Sequence, residues 1–223
     1  MCGRFAQAIP LGKMKMVNLF DEIDSDYIEN FNVAPSHYVS VVSIKEGKRV
    51  LSRKKWGLVP SWSRDDKMGS RLINARGETL KDKPSFRKAF IYRRCIVPVT
   101  GFYEWRKEGK SRKPFFIKMK GDTGTVPMLL AGLHESWNAP DGVELETFTV
   151  ITTSSCEKIR SIHDRMPVII TGGDVDTWLN FNLPVEEAER LIKPVEDELI
   201  DFYPVSETVN SPRNNSEKCM ERI

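Results

Sequence analysis

Short runs of alternating or β-branched apolar residues, separated by turn residues, recur along this chain and restrict its fold more than any other feature. They predict strands at residues 38–44, 49–53, 95–99, 114–119, 128–133, 146–152 and 168–171. Two tetrapeptides, Lys45-Glu46-Gly47-Lys48 and Gly121-Asp122-Thr123-Gly124, have the composition of hairpin turns. Helical spacing is limited to residues 13–22, 84–90, a segment after Asp174, and 185–191, which follows Pro184.

Strands outnumber helices and rarely alternate with them, which favours an antiparallel α+β fold over a doubly wound parallel sheet. At 223 residues the chain has the length of one ordinary domain, and no repeat or linker divides it. We therefore predict a single compact domain over residues 1–223, with a curved or barrel-like antiparallel sheet, flanking helices and a core at about residues 2–210. The polar tail at residues 210–216 is either a frayed terminus or a loop that binds a nucleic-acid backbone.

Charge is strongly segregated along the chain. Residues 45–120 contain 23 basic and 7 acidic side chains, a net charge of +16, whereas residues 121–223 carry a net charge of −11. Aromatic residues are interleaved with the basic ones, among them Trp56, Trp62, Phe86, Phe90, Tyr92 and Trp105. This combination is typical of proteins that bind single-stranded nucleic acid, although a solvated face balanced by the acidic third would look the same.

Neither a membrane span nor a secretion signal is predicted. The longest apolar runs, such as residues 126–133, are too short to cross a bilayer, and no apolar block follows a basic N-terminus. A cytoplasmic protein is expected, associated with the nucleoid when bound to DNA. The four cysteines, Cys2, Cys95, Cys156 and Cys219, lack zinc-site spacing, so no metal is expected.

The opening residues Met-Cys-Gly-Arg-Phe place a cysteine where removal of Met1 would make it the N-terminus. Such a Cys2 carries an α-amine and a thiol on adjacent carbons. The amine can condense with an aldehyde and the thiol can then close a five-membered thiazolidine. Alternatively, the thiol attacks an acyl carbon with the α-amine as its base, as in N-terminal nucleophile hydrolases. A cysteine that merely follows the start codon is the third interpretation.

Three further residues are candidates for this chemistry. Glu104 lies between aromatic residues in GFYEWR, where a raised pKa would leave a proton usable near neutral pH, although a strand residue there could equally point outward and be an ordinary carboxylate. His163, in SIHDRMP, lies in a loop before Pro167 and is either a proton shuttle or a structural residue. Asn74, in LINARGE, supplies an amide that can hold an amine or a hydroxyl, and Arg76 can bind a phosphate.

Taken in order, MCGRF, FNVAP, WGLVPSW, INARGE, GFYEW and HDRMP resemble the SOS response-associated peptidase (SRAP) family, also described as abasic-site processing proteins. The matches extend from residue 2 to about residue 168, and the tail VSETVNSPRNNSE is similar to the family's C-terminal segment. The resemblance implies a barrel-like single-domain fold. It also implies covalent capture of abasic sites in single-stranded DNA, with no metal or organic cofactor.

The resemblance also implies roles for individual residues. Cys2 would form the crosslink once Met1 is removed, and Asn74 would hold its α-amine or the opened sugar. Glu104 would act as general acid/base, and His163 would assist ring opening and reversal. The implied DNA contacts are Arg4, Asn32, Trp62, Arg76 and Asn210.

The sequence therefore predicts a monomeric enzyme with lyase-like crosslinking activity and peptidase activity that removes Met1. Its partner would be single-stranded DNA containing abasic sites, and no membrane is involved. The alternatives are an N-terminal-nucleophile hydrolase, either a peptidase or a class II glutamine amidotransferase, and a plain single-strand DNA-binding protein.

Overall fold

A computed structural model describes residues 2–121 and 127–223 of the chain. Met1, most of the turn predicted at residues 121–124 and the first residue of the apolar run at 126–133 lie outside the described residues.

The described part of the chain is mainly β-structure, and each of the seven strands expected from the apolar runs has a counterpart. The strands are β1 (Phe5–Gln7), β2 (Glu22–Ile23), β3 (Asn30–Val33), β4 (Tyr38–Lys45), β5 (Lys48–Trp56), β6 (Asn74–Arg76), β7 (Arg94–Val99), β8 (Gly101–Glu108), β9 (Ser111–Met119), β10 (Met128–Asn138), β11 (Glu144–Ser154), β12 (Arg165–Pro167), β13 (Ile169–Ile170) and β14 (Ile200–Pro204). The α-helices are α1 (Leu11–Met16), α2 (Pro84–Tyr92), α3 (Glu157–Arg160), α4 (Val175–Leu179) and α5 (Val185–Glu189).

Five strands close into a barrel. They pair in the order β11-β10-β7-β4-β5, and β5 then returns to β11. The closing contact is parallel, with Lys55 beside Thr147 and Trp56 beside Phe148, whereas the other barrel pairs are antiparallel. The predicted α+β fold with a barrel-like sheet is therefore confirmed, and the parallel seam is the feature that local patterns did not indicate.

A second sheet brings the N-terminus to the barrel. Its order is β14-β9-β8-β1-β3, so β1 lies between β8 and β3. Side chains of this sheet, including Phe5, Phe102 and Ile117, belong to the same buried apolar cluster as the barrel residues Trp56 and Val97. The two sheets therefore share one core, and the chain enters this core just before β1.

Local turn chemistry accounts for the β4–β5 hairpin. Lys45 pairs with Lys48, and the two residues between them, Glu46 and Gly47, have φ of 53° and 80°. Two consecutive positive φ values match the right-handed twist of the flanking strands. This predicted hairpin is confirmed.

The first helix is shorter than predicted. The pattern indicated a helix over residues 13–22, but α1 ends at Met16 and Glu22 begins strand β2. Asn18 adopts a φ of 48°, and the backbone N–H of Asp21 donates to the Arg49 carbonyl of β5. Pairing with the barrel edge therefore overrides helical spacing here.

The polar tail packs against the domain, which excludes the frayed-terminus interpretation. The amide Nδ2 of Asn32 donates to the carbonyls of Val209, Ser211 and Asn214 at 3.2, 3.0 and 2.8 Å. The tail is thus fixed against β3, close to where the N-terminal segment enters.

Candidate active site at the N-terminal cysteine

Cys2 lies fully buried in the shared core, in the same cluster as Phe5 and Trp56. Burial raises the pKa of the Cys2 thiol far above its usual range, and the nearby Glu104 carboxylate raises it further. The thiol is therefore protonated at neutral pH, and it reacts only if a neighbouring base takes its proton.

Asn74 is held beside Cys2 by the barrel. Strand β6 runs parallel to β11 with Asn74 level with Val150, and the Trp56 indole Nε1 donates to the Ile73 carbonyl at 2.9 Å. From this position Asn74 Nδ2 donates to the Cys2 carbonyl oxygen at 2.8 Å. The other atom of the amide, Oδ1, is buried and accepts no hydrogen bond from the residues that the structure describes. A strong acceptor is therefore available next to the Cys2 backbone.

Glu104 lies on β8, where its side chain is only 5% exposed. Its strand partner is Phe115, and Phe102 of the same strand belongs to the shared core. Burial raises the pKa of the Glu104 carboxyl to about 7. This is the direction predicted from the aromatic neighbours, and it leaves the group half protonated at neutral pH, as an acid/base catalyst requires.

His163 lies in the loop between α3 and β12, so it is in a loop before Pro167 as predicted. The backbone N–H of Arg165 donates to His163 Nδ1 at 2.9 Å, which places the proton of the neutral ring on Nε2. Burial lowers the pKa of His163, and the Arg112 guanidinium adds to this effect. The exposed Asp164 carboxylate lies 2.9 Å from the same nitrogen and pairs with the ring only when the ring is protonated.

Hydrogen bonds of Arg165 hold in place the loop that contains His163, here called the histidine loop. Arg165 donates to both carboxylate oxygens of Glu78, at 2.5 and 3.0 Å, and to the Thr152 carbonyl at 2.7 Å. The Arg165 hydrogen bond lowers the pKa of Glu78, which keeps it charged. The Asp164 carboxylate contributes to the raised pKa of Glu104. A hydrogen bond therefore joins Asn74 to Cys2, and electrostatic interactions link Glu104 to Cys2 and to the histidine loop.

Two of the predicted DNA contacts share an open cleft beside this site. Arg4 Nη1 donates to the Val209 carbonyl at 2.7 Å, and its guanidinium lies over the Trp105 ring, 5.8 Å from the ring centre. The Trp105 indole donates to Asn210 Oδ1 at 2.8 Å. The cleft has a volume of about 520 Å³ and is lined by Arg4, Trp105, Ser111, Arg112, Glu207 and Asn210. Trp105 and Arg112 were not predicted as contacts, although their charge and aromatic character in the basic segment gave a usable signal.

The other predicted contacts have different surroundings. Trp62 is 58% exposed on a loop that the Trp137 indole pins by donating to the Ser63 carbonyl, and Arg76 is exposed at the end of β6. Asn32 is fully buried and accepts from Arg4 Nη1 at 2.8 Å while its Nδ2 holds the tail. Asn32 therefore supports Arg4 and the tail, whereas a direct contact with DNA was expected.

Within residues 2–121 and 127–223, no group of three or more His, Cys, Asp or Glu side chains is arranged to hold a metal ion. In the same part of the chain, no helix has the length and apolar character needed to cross a membrane.

Comparisons with known proteins agree on one family. A family model described as SOS response associated peptidase (SRAP) matches residues 1–212. The abasic site processing protein YoqW of Bacillus subtilis is 38% identical over 99% of both chains. The abasic site processing protein HMCES of Xenopus tropicalis is 34% identical over 95% of this chain and 71% of that protein. A solved structure of a Bacteroides thetaiotaomicron protein superposes with a TM-score of 0.85 at 28% identity, covering 98% of this chain and 99% of the other.

Proposed function

The chain belongs to the SOS response associated peptidase (SRAP) family, and from that membership we propose that it captures abasic sites in single-stranded DNA through Cys2. The choice of lesion in this proposal is taken from the names of its relatives, which are abasic site processing proteins. The observation that carries the chemistry is the Asn74 amide, which binds the Cys2 carbonyl and keeps a buried acceptor beside it. That acceptor suits the N–H groups of a free α-amine on Cys2.

The reaction begins with the closed deoxyribose of the abasic site. Protonated Glu104 donates its proton to the ring oxygen as the C1′–O4′ bond breaks. The C1′ hydroxyl loses its proton to water, and C1′ becomes the aldehyde carbon. The Nε2–H of His163 holds the hydroxyl that forms. A carboxyl with a pKa of about 7 is suited to this step because both of its protonation states are populated near neutral pH.

Capture then follows in two bond-forming steps. The α-amine of Cys2 adds to C1′, and loss of one water gives an imine. The Cys2 sulfur adds to the same carbon while its proton passes to the imine nitrogen, with Glu104 as the relay. Aldehyde, amine and thiol thus yield a thiazolidine and one water, and the same groups can run the sequence backwards.

The open cleft beside the site supports the choice of a single strand as substrate. Arg4 and Arg112 line it together with Trp105, so charges for phosphates and an aromatic face for a base are adjacent. A single strand also requires no unpairing before the damaged sugar reaches Cys2. Noncovalent binding should weaken as salt rises, whereas a crosslink already formed should survive it.

The proposed chemistry requires that Met1 is removed. We propose that the chain removes Met1 itself, with Glu104 taking the proton of the Cys2 thiol as the sulfur attacks the Met1 carbonyl carbon. The C–N bond between Met1 and Cys2 breaks, the Cys2 nitrogen takes that proton and leaves as the α-amine, and water hydrolyses the Met1 thioester to release methionine. Intact mass measurement of purified wild-type protein should show loss of Met1, and Glu104→Gln should retain it. A Glu104→Gln protein without Met1 would assign the removal to a host enzyme.

The decisive test uses single-stranded DNA with one abasic site, analysed on a denaturing gel. Wild-type protein should give a shifted band, and Cys2→Ala should give none. Cys95→Ala is the matched control, because Cys95 is equally buried but lies on β7 and has no part in the proposed chemistry. A tetrahydrofuran analogue, which cannot open to an aldehyde, should give no band with any variant. An equal band with Cys2→Ala would refute the proposal.

A further inference from the structure

A proline interrupts the barrel at a position where a backbone donor is needed. Pro98 lies on β7, which pairs with β10 on one side and β4 on the other. The β4–β7 ladder has Val42 opposite Ile96 and Ser43 opposite Cys95, and the same register places Ser40 opposite Pro98. Proline has no N–H, so it cannot supply the hydrogen bond that the Ser40 carbonyl would receive there.

The side chain of Gln7 fills this gap. Its Nε2 donates to the Ser40 carbonyl and to the Pro98 carbonyl, both at 2.8 Å, and its Oε1 accepts from the Ser40 N–H at 2.9 Å. Gln7 is only 1% exposed, so these bonds are shielded from water. Both amide protons and the amide oxygen are used, and the amide acts as an inserted peptide group between β4 and β7. Glutamate lacks the two donors, and asparagine is shorter by one methylene.

The same bonds tie the N-terminal strand to the barrel. Gln7 belongs to β1, whose ladder neighbours are β3 and β8 of the second sheet. The β1–β3 register is irregular between Phe5 and Gln7, and on its other side β1 pairs with β8 and accepts a hydrogen bond from the Thr100 N–H at the Ala6 carbonyl. Phe5 belongs to the core of the barrel, with its ring centre 4.7 Å from that of Trp56. Gln7 therefore adds a polar anchor to the apolar contact made by Phe5.

We propose that Gln7 is a positioning residue for Cys2. Its side chain replaces the backbone hydrogen bond that Pro98 cannot donate, and in this way it fixes β1 on the barrel and sets where the aminothiol lies. The inference rests on the proposed function, because the aminothiol is what the strand positions. Cys2 is three residues before β1, and its partners Asn74 and Glu104 belong to other strands. A shift of about 1 Å in such an arrangement can slow a reaction by about 100-fold.

The experiment is a double-mutant cycle between Gln7→Ala and Pro98→Ala, with two readouts. Urea unfolding measures the stability of the domain that contains the barrel. The rate of crosslinking to abasic single-stranded DNA reports whether Cys2 is correctly positioned. Gln7→Ala alone should raise the unfolding equilibrium constant by about tenfold or more and slow crosslinking by about tenfold or more. Its affinity for intact single-stranded DNA should change less than about twofold, because the open cleft is untouched.

The double variant separates positioning from stability. Pro98→Ala restores a backbone N–H opposite Ser40, so Gln7→Ala with Pro98→Ala should regain most of the lost stability by direct pairing of β4 with β7. Its crosslinking rate should stay low, because the side-chain link from β1 to β4 and β7 is still absent. Hydrogen exchange should accordingly show protection restored in β4 and β7 but not in β1.

Recovery of both stability and rate in the double variant would overturn the positioning role, and so would a normal crosslinking rate in Gln7→Ala. If Gln7→Ala does not fold, the double variant still carries the test, since its barrel ladder is complete. Absence of crosslinking by the wild-type protein would refute the proposed function instead, and the unfolding cycle would still report whether Gln7 and Pro98 are coupled.

Discussion

Two buried polar clusters in this molecule differ in how their hydrogen-bonding atoms are used. The first surrounds Arg94, which is 1% exposed on the outer face of the barrel. Its guanidinium donates to the carbonyls of Trp178, Phe90, Ile91 and Asn180 at 2.6, 2.8, 3.1 and 2.8 Å. Each nitrogen has a partner, and the bonds join the ends of α2 and α4 to the barrel.

The second cluster surrounds Cys2. Here Asn74 Oδ1 accepts no hydrogen bond from the described residues, and burial raises the pKa of Glu104 to about 7. An unused buried acceptor and a carboxyl that is hard to ionise both cost stability. The comparison indicates that the Arg94 cluster is built for folding, whereas the Cys2 cluster retains capacity for a substrate.

The largest expected effect comes from breaking the satisfied cluster. Arg94→Met should lower the free energy of unfolding by about 3–5 kcal/mol, because four buried carbonyls lose their donor. The crosslinking rate per folded molecule should stay unchanged. Urea unfolding and a rate normalised to folded protein check this. A slowed rate with normal stability would show that the two clusters are not separate.

The next effect concerns the rate of capture. Glu104→Gln from which a methionine aminopeptidase has already removed Met1 should crosslink about 10²- to 10³-fold more slowly at pH 7, since the variant cannot donate and recover a proton. The wild-type crosslinking rate should fall as pH rises above about 7, because Glu104 loses its proton there. The crosslinking rate of the variant should not fall in this way. Single-turnover rates from pH 6 to 9 test this, and an identical pH profile in both proteins would exclude Glu104 as the acid.

The same substitution should act in the opposite direction on stability. Because burial raises the pKa of folded Glu104 to about 7, the folded state binds its proton more tightly than the unfolded state does, and wild-type stability falls as pH rises from about 4.5 to about 7. Glu104→Gln should therefore be more stable than wild type by about 1–3 kcal/mol at pH 8, with the advantage disappearing below about pH 4.5. A variant that is less stable at pH 8 would contradict the raised pKa.

The smallest effect is expected at the unused acceptor. Asn74→Leu removes one hydrogen bond to Cys2 but also removes a buried unpaired oxygen, so unfolding should change by less than about 1 kcal/mol. Crosslinking should still slow by about tenfold, because the Cys2 amine loses its acceptor. Parallel unfolding and rate measurements test this, and a large loss of stability with a normal rate would place Asn74 with the structural residues.

Local chemistry explains which parts of the fold could be predicted. The β4–β5 hairpin was predicted because Glu46-Gly47 is itself a turn-forming pair, whereas the helix expected over residues 13–22 was cut short by pairing of β2 with β5. The parallel seam between β5 and β11 joins strands about ninety residues apart, and no local pattern specifies it. Pro98 argues locally against a central strand, and no local pattern shows that the distant Gln7 bonds Ser40 and Pro98 there.

The site residues were predicted from ordered motifs that resemble a family, and the structure places Asn74 beside Cys2 and Arg4 beside Asn210, whereas Trp62 and Arg76 lie in other surroundings. Asn32 was the exception, because its role depends on the tail nearly 180 residues away, which a motif cannot reveal. Likewise, the hydrogen bond between Arg165 and Glu78 joins two segments that are distant in sequence.

The central claim is that both the amine and the thiol of Cys2 react with one aldehyde carbon. Peptide mass spectrometry of the purified crosslink, after nuclease digestion and treatment with iodoacetamide, tests it directly. The expected product is an N-terminal peptide beginning at Cys2 that carries the sugar remnant less one water and whose thiol is not alkylated. A remnant on a lysine, or a crosslinked Cys2 whose thiol is still alkylated, would contradict the claim.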